Sequence, residues 1–163
     1  MSTTTSRHET TIAVDPALPT IVVVREFDAR PARVFRAYTD PELVAQWLGP
    51  RRLVMEIDEY DARTHGSYRY RHTDVDGTEY GFHGAFHEVR PNERIVQTFT
   101  WDGQPDGVSL EVALFEDLGG RTRVTTTSLV HSLEARDAVL ASGMAEGLTE
   151  GYAQLDELLA AQA

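Results

Sequence analysis

Histidine is the residue type in this sequence best suited to acid–base or metal chemistry near neutral pH, and the chain holds six. His83 and His87 share one face of a predicted strand, but at about 3.3 Å per residue they lie about 13 Å apart, too far to bind one ion. His72 can approach His83 across a hairpin, which supplies two ligands where zinc needs three or four. We therefore expect no metal and no cofactor, and His72 or His83 remains a candidate acid–base residue.

The other reactive groups form no known catalytic pattern. The sequence has no Cys and no Lys, which excludes thiolate catalysis, disulfides and Schiff-base chemistry. It contains no Ser–His–Asp order, no HExxH helix and no glycine-rich phosphate loop. The acidic run at residues 56–61 is typical of a solvated face, and Glu88 is placed to pair with Arg94 across a turn. We predict no catalytic residue from these patterns.

The charge balance argues against nucleic-acid and membrane partners. Fifteen basic residues, all of them Arg, stand against 26 acidic ones, so the net charge is −11 at pH 7. Such a surface repels phosphate backbones and anionic lipids. No apolar stretch reaches the roughly 18 residues of a membrane span, and the N-terminus lacks a basic segment followed by an apolar one. We expect a cytoplasmic protein.

The elements that position these residues can be read in chain order. Residues 21–27 are β-branched and strand-like, and Pro31 and Pro41 each begin a short helix. About six further strands follow up to residue 131, joined by short turns such as Asp76-Gly77, and they are therefore antiparallel. In one of them, residues 108–114, apolar and polar side chains alternate residue by residue.

The last predicted element is a long helix from Ser132 to about Ala160, bent near Ser142-Gly143. An apolar stripe runs along it, made of Met144, Leu148, Tyr152, Leu155 and Leu159. This order of elements indicates an α+β domain, in which a curved antiparallel sheet of about seven strands wraps the C-terminal helix. Residues 1–19 are predicted to be a flexible tail with a strand-like stretch around 12–14, and residues 20–163 a single domain.

Three glycines recur at every fourth position of the last helix, Gly143, Gly147 and Gly151. Each costs about 1 kcal/mol relative to Ala, so the row needs a reason. Two interpretations stay open. The glycines allow the helix backbone to pack closely on bulky side chains, or they leave a cavity between helix and sheet that holds an apolar ligand.

Aromatic residues of the predicted strands favour the cavity. Tyr68, Tyr70 and His72 share one face of a strand, and the aromatic residues of the next strand also share one face. With the two Trp they supply an apolar lining with a few polar tips, although an ordinary place in the core is the alternative for any single member. The predicted ligand-binding residues are Trp47, Tyr68, Tyr70, His72, Phe82, Trp101, Met144, Gly147, Leu148 and Gly151.

Five segments, in this order, carry a family resemblance. They are residues 25–35 (REFDARPARVF), 39–42 (TDPE) with Trp47 and Gly49-Pro50, 66–68 (GSY), 84–96 (GAFHEVRPNERIV) and 143–147 (GMAEG). With them the chain resembles, from about residue 20 to 160, the homologues of the activator of the heat-shock-protein-90 ATPase. That family is a branch of the START-like (SRPBCC) superfamily, and the resemblance implies its helix-grip fold.

Two positions depart from the family pattern. The family usually has Gly-Gly before the first aromatic residue of its strand, where this chain has His65-Gly66. It usually has Trp after the second helix glycine, where this chain has Leu148. Because Leu is smaller than Trp, we expect a larger cavity beside this position.

What the resemblance implies for function is looser than what it implies for fold. START-like domains bind lipids, hormones and polyketides between helix and sheet, and some cyclise or hydrolyse what they bind. We expect this protein to bind a hydrophobic or amphipathic small molecule. One alternative is a cyclase- or hydrolase-like enzyme that uses His72 or His83. Another is a co-chaperone that stimulates a chaperone ATPase through its acidic surface. Relatives with this fold often pair, so a homodimer is also expected.

Overall fold

Eight antiparallel strands form one sheet in the computed structural model, which describes residues 8–162. The strands are β1 (Thr11–Val14), β2 (Thr20–Phe27), β3 (Val54–Tyr60), β4 (Ser67–Thr73), β5 (Glu79–Arg90), β6 (Arg94–Trp101), β7 (Ser109–Asp117) and β8 (Thr122–Leu129). Their order across the sheet is β1-β2-β8-β7-β6-β5-β4-β3. The helices are α1 (Pro31–Thr39), α2 (Pro41–Trp47), α3 (Leu133–Ala141) and α4 (Met144–Ala161). The predicted α+β helix-grip class, with a curved sheet around a C-terminal helix, is confirmed.

The strand beyond the seven expected comes from the segment that the sequence assigns to the tail. Ile12 lies opposite Val23 and Val14 lies opposite Ile21, so residues 11–14 extend the edge of the sheet. The first seven residues of the predicted tail lie outside the described residues.

Two helices that begin with proline connect β2 to β3, as predicted. Pro31 and Pro41 lie in their first turns, and the side chain of Asp40 accepts a hydrogen bond from the Glu42 amide at 3.0 Å. The indole N–H of Trp47 donates to the Ala37 carbonyl at 2.8 Å. This bond ties the end of α2 to α1 inside the core.

A buried arginine connects the sheet to α4. Arg25 of β2 is 3% exposed, and its guanidinium donates to both carboxylate oxygens of Asp156 on α4, at 3.2 and 2.5 Å. The same guanidinium lies 4.9 Å from the ring centroid of Phe27 and 5.9 Å from that of Tyr152. These contacts hold α4 across the inner face of the sheet, which we define as the face toward α4.

The C-terminal helix is divided, where the sequence predicts one bent helix. Ser132 caps α3, its hydroxyl oxygen accepting from the Ala135 amide at 3.0 Å. This helix ends at Ala141, and α4 begins at Met144. Between them Gly143 has a φ of +87°, a left-handed conformation that costs a residue with a side chain about 1 to 2 kcal/mol. The glycine therefore ends one helix and lets α3 take a position of its own.

Strand β7 turns its polar side chains inward. The predicted alternation is present, but Leu110 and Leu114 lie on the outer face, 37% and 46% exposed. Ser109 and Glu111 share the inner face with the buried ring of Phe115, because side chains two and four residues apart in a strand point to the same side. Polar groups thus enter the interior from the middle of the sheet.

Candidate functional site

A cavity of about 590 Å³ lies between the sheet and α3. Its walls come from β5, β6, the β6–β7 loop, the first residue of β7, the β8–α3 connection, α3, the α3–α4 connection and the first residue of α4. The lining residues are Tyr80, Phe82, Phe99, Trp101, Gln104, Gly107, Val108, Ser109, Val130, His131, Ala135, Ala138, Val139, Ser142 and Met144. We call this space the α3 cavity.

Aromatic side chains form the sheet side of the α3 cavity. The rings of Phe82 and Phe99 stack with centroids 5.3 Å apart and planes 21° apart, and Trp101 lies opposite Phe82 in the strand register. Trp101 and Val108 are 42% and 50% exposed. Water therefore contacts large apolar side chains here, and covering them is favourable by about 25 cal/mol for each Å².

A carboxyl group with two hydroxyl partners lies behind one lining residue of the α3 cavity, Ser109, and is itself outside the lining. Ser109, a lining residue, donates to Oε1 of Glu111 at 2.8 Å, and Ser128 donates to Oε2. All three lie on the inner face and keep part of their surface accessible. Burial raises the pKa of Glu111, and the two serine hydrogen bonds act in the opposite direction. We call these three residues the Glu111 cluster.

Three of the ten predicted ligand-binding residues line the α3 cavity: Phe82, Trp101 and Met144. Trp47, Tyr68 and Tyr70 lie in the core, none more than 6% exposed. The Tyr68 hydroxyl donates to a backbone carbonyl of β6 at 2.6 Å, and its ring stacks on Tyr70 at 6.0 Å. Burial raises the pKa of both tyrosine hydroxyls, so both stay neutral at pH 7. These rings pack in the core behind Phe82, which lines the cavity.

His72 is buried next to Phe82 but is not part of the cavity wall. Its ring lies edge-on to Phe82 with centroids 5.7 Å apart, and it packs so closely on Gly49 that a Cβ there would come within 2.6 Å of the ring. Among the described residues its Nδ1 has no hydrogen-bond partner. Burial lowers the pKa of His72, so the imidazole is neutral at pH 7.

His83 lies on the other face of the sheet. In the β4–β5 register His83 lies opposite Arg69, and His72 lies opposite Tyr80. Because Tyr80 and His83 are three residues apart on one strand, the two histidines lie on opposite faces of the sheet. The expectation that His72 approaches His83 is therefore wrong. Nδ1 of His83 lies 2.8 Å from Asp102, whose carboxylate also accepts from Arg69 at 2.7 Å. Residues 8–162 contain no group of three potential metal ligands.

The three helix glycines do different things, and none of them lines the α3 cavity. Gly143 separates the two helices. A Cβ on Gly151 would lie 3.1 Å from the Trp47 carbonyl oxygen, so this glycine permits the close packing of α4 on the end of α2. A Cβ on Gly147 would meet only a Pro50 carbon, at 3.8 Å. Leu148 is half-buried against the core, and the cavity lies one turn away, at Met144.

Sequence reasoning did not find the α3 side of the cavity. Ala135, Ala138 and Val139 line it, and they belong to the stretch that the sequence joins to α4 as one helix. The sequence feature that marks the separation of α3 from α4 is the Ser142-Gly143 pair, which predicts a bend in one helix. Glu111 alternates with apolar residues along β7, and this pattern suits a side chain on the outer face. The sequence therefore does not indicate Glu111 as a site residue.

Comparison with known proteins agrees with this architecture. The family model described as activator of Hsp90 ATPase homolog 1-like protein matches residues 28–160. The chain belongs to this family. Among solved structures, a Rhodobacter sphaeroides protein is 28% identical with a TM-score of 0.86, over 94% of this chain and 99% of that one. A Mycobacterium smegmatis protein is 27% identical with a TM-score of 0.84, over 93% and 97% of the two chains. No curated protein matches the sequence.

The departures from the pattern of the Hsp90-activator-like family have structural correlates. His65, where the family usually has glycine, adopts a φ of +72°, in the left-handed region that favours glycine. Its amide still donates to the Phe86 carbonyl at 2.9 Å, so the turn is formed at a cost in backbone strain. The neighbouring Gly66 cannot be replaced, because a Cβ there would come within 1.9 Å of the Asp61 carbonyl oxygen.

None of the helices among the described residues has the length and hydropathy of a membrane-spanning segment.

Proposed function

We propose that this protein binds a hydrophobic or amphipathic small molecule in the α3 cavity. The observation that carries the proposal is the cavity itself, which at about 590 Å³ falls within the size range of small-molecule sites. Most of its wall is aromatic or aliphatic, and its polar lining residues are few; one of them, Ser109, connects the cavity to Glu111 through a hydrogen bond. This combination suits a ligand with an apolar body and one polar end.

Membership in the Hsp90-activator-like family supports the same proposal. The wider superfamily binds hydrophobic ligands between helix and sheet, and the α3 cavity lies in that region of this fold. Phe82, Trp101 and Met144 are the members of the predicted site that we propose contact the ligand. The other seven lie outside the cavity lining.

The enzyme alternative finds less support. Neither His72 nor His83 lines the cavity, and they lie on opposite faces of the sheet. His131 is the histidine that does line it, and it is exposed. No hydroxyl, carboxylate or thiol stands within hydrogen-bond distance of that imidazole among the described residues, so the site has no formed catalytic pair.

Fluorescence titration with N-phenyl-1-naphthylamine, a neutral apolar probe, tests the proposal. Ala138→Trp puts a large side chain into the cavity, whereas Ala141→Trp, on the same helix but outside the lining, is the matched control. We expect Ala138→Trp to weaken probe binding at least about tenfold, because an indole displaces the space that the probe occupies. Ala141→Trp should bind the probe like the wild type. Equal affinities in all three proteins, or no binding to the wild type, would contradict the proposal.

Native mass spectrometry of the freshly purified protein then identifies the natural ligand. A retained small molecule that is absent from the Ala138→Trp variant would establish both the ligand and its location. A ligand retained equally by both proteins would move the site away from the α3 cavity.

A further inference from the structure

Among residues 8–162, the carboxyl group of Glu111 has no cationic partner. Its hydrogen bonds among residues 8–162 come from Ser109 and Ser128, and no arginine or histidine in this part of the chain forms an ion pair with it. The arginine that shares the inner face, Arg25, is already paired with Asp156. A carboxylate placed in the interior without a counter-ion is costly, because desolvation is not repaid by a nearby positive charge.

The wall of the α3 cavity matches a cation rather than an anion. None of its fifteen lining residues is Arg, although the chain has fifteen arginines, so His131 is the one lining residue that could offer an anionic head group a positive charge; the lining holds no Asp or Glu, and Glu111 lies behind Ser109. Phe82, Phe99 and Trp101 instead offer aromatic faces, which attract an alkylammonium group through their quadrupoles. The net charge of −11 adds a long-range attraction for cations and a repulsion for anions.

We propose that the α3 cavity selects a lipophilic amine, which binds as its ammonium ion. The ammonium group lies at Ser109 and is neutralised by Glu111, while the apolar body packs on Phe82, Phe99 and Trp101. This inference rests on the proposed function and adds the chemical class of the ligand to it. In this proposal the ligand supplies the positively charged partner that Glu111 lacks among the described residues.

The distinction between ligand classes is testable with three molecules of one shape. The trio 4-phenylbutylamine, 4-phenylbutan-1-ol and 4-phenylbutanoate differ only in the end group, which is cationic, neutral or anionic at pH 7.5. Each is titrated against N-phenyl-1-naphthylamine bound to the wild type, in about 0.15 M salt so that exposed charges contribute little. A hydrogen-bonded charge pair contributes about 1.5 to 3 kcal/mol, so we expect the amine to bind about 10- to 100-fold more tightly than the alcohol. The carboxylate should bind most weakly.

Two variants assign the preference to one carboxyl group. Glu111→Gln keeps the size and hydrogen-bonding capacity but removes the charge, and it should weaken the amine at least about tenfold while leaving the alcohol within about twofold. Glu116→Gln is the control, because Glu116 lies on the same strand, is exposed, and pairs with Arg123 outside the cavity. It should leave the preference for the amine unchanged.

The outcomes separate this inference from the proposed function. If the alcohol or the carboxylate displaces the probe as well as the amine does, the cavity binds small molecules and the inference about amines is wrong. The same conclusion follows if Glu111→Gln and Glu116→Gln weaken the amine equally. If the probe itself does not bind to the wild type, the proposed function fails, and the ligand class fails with it.

Discussion

Breaking the ion pair between Arg25 and Asp156 should strongly destabilise this protein, and Asp156→Ala tests it. The Arg25 side chain is 4% exposed and Asp156 is 28% exposed, so the substitution leaves a guanidinium in the interior without its carboxylate. Breaking a buried pair by removing one partner costs about 3 to 5 kcal/mol, and the partial exposure of Asp156 places this case near the lower end, at about 3 kcal/mol. For a chain of this length that corresponds to a fall in Tm of about 6 to 12 °C.

The chain offers a matched control one residue away. Glu157 pairs with Arg51 at 2.6 Å, but both side chains are about half exposed or more, and such pairs contribute little to stability because water and salt screen them. Glu157→Ala should therefore lower Tm by only a few degrees. Thermal and urea denaturation of both variants, followed by circular dichroism, make the comparison. If Asp156→Ala is no less stable than Glu157→Ala, the pair does not connect β2 to α4 in the way described.

A double variant separates loss of the pair from the penalty of a lone charge. Arg25→Met with Asp156→Leu removes both charges and keeps apolar volume between the sheet and α4. Since the penalty for an unpaired buried charge is then absent, we expect the double variant to recover most of the loss seen in Asp156→Ala. A double variant less stable than Asp156→Ala would mean that the stacking of the Arg25 guanidinium on Phe27, rather than the charge pair, is what holds α4.

Four further predictions concern single positions. Gly147→Ala should raise the free energy of unfolding by about 1 kcal/mol, because an added Cβ meets only one carbon at 3.8 Å and Ala favours the helix. Gly151→Ala should lower Tm below that of the wild type, since its Cβ would press on backbone atoms at 3.1 and 3.4 Å; a gain equal to that of Gly147→Ala would contradict this. His65→Gly should be more stable by up to about 1 kcal/mol, because relief of the left-handed conformation exceeds the added chain entropy; denaturation showing a loss would refute it. Burial raises the folded-state pKa of Glu111, so its stabilising contribution is complete below the pKa of the unfolded chain and is lost as pH rises through the folded pKa. Glu111→Gln should accordingly melt higher than the wild type at pH 8, with the difference shrinking toward pH 4, and parallel Tm-against-pH curves would count against it.

The sequence predicts the framework because local chemistry determines it. The prolines that begin α1 and α2 and the Asp76-Gly77 turn act over a few residues, and each formed where expected. The pairing of Glu88 with Arg94 across the β5–β6 turn, at 3.4 Å, is equally local. Family segments add the order of the elements, which local chemistry alone does not give.

The site was harder to predict because it depends on which way strands and helices face. A shift of one residue in the alternation of a strand moves a side chain to the other face of the sheet. The sequence does not show which set of alternate residues faces the core when either set could do so. In β7 the leucines suggest an inner face that the structure gives to Ser109 and Glu111. The position of α3 depends in turn on the φ of one residue, Gly143, which a helical pattern alone does not reveal.

The inward-facing polar residues of β7 and the separate position of α3 both contribute to the α3 cavity. An apolar side chain in place of Glu111 on the inner face of β7 would gain roughly 2 kcal/mol from its burial, whereas Leu110 and Leu114 of the same strand stay 37% and 46% exposed on the outer face. The fold instead places a carboxyl group and a serine hydroxyl there, and across the cavity α3 presents Ala135 and Ala138 rather than large side chains. A core optimised for stability would fill that volume and exclude the charge. Local choices that lower stability in one place are typical of functional sites, and here the polar strand and the small residues of α3 face one another across a single cavity. That coincidence is the strongest physical reason to look for the ligand at the Glu111 cluster rather than among the larger aromatic stack around Tyr68.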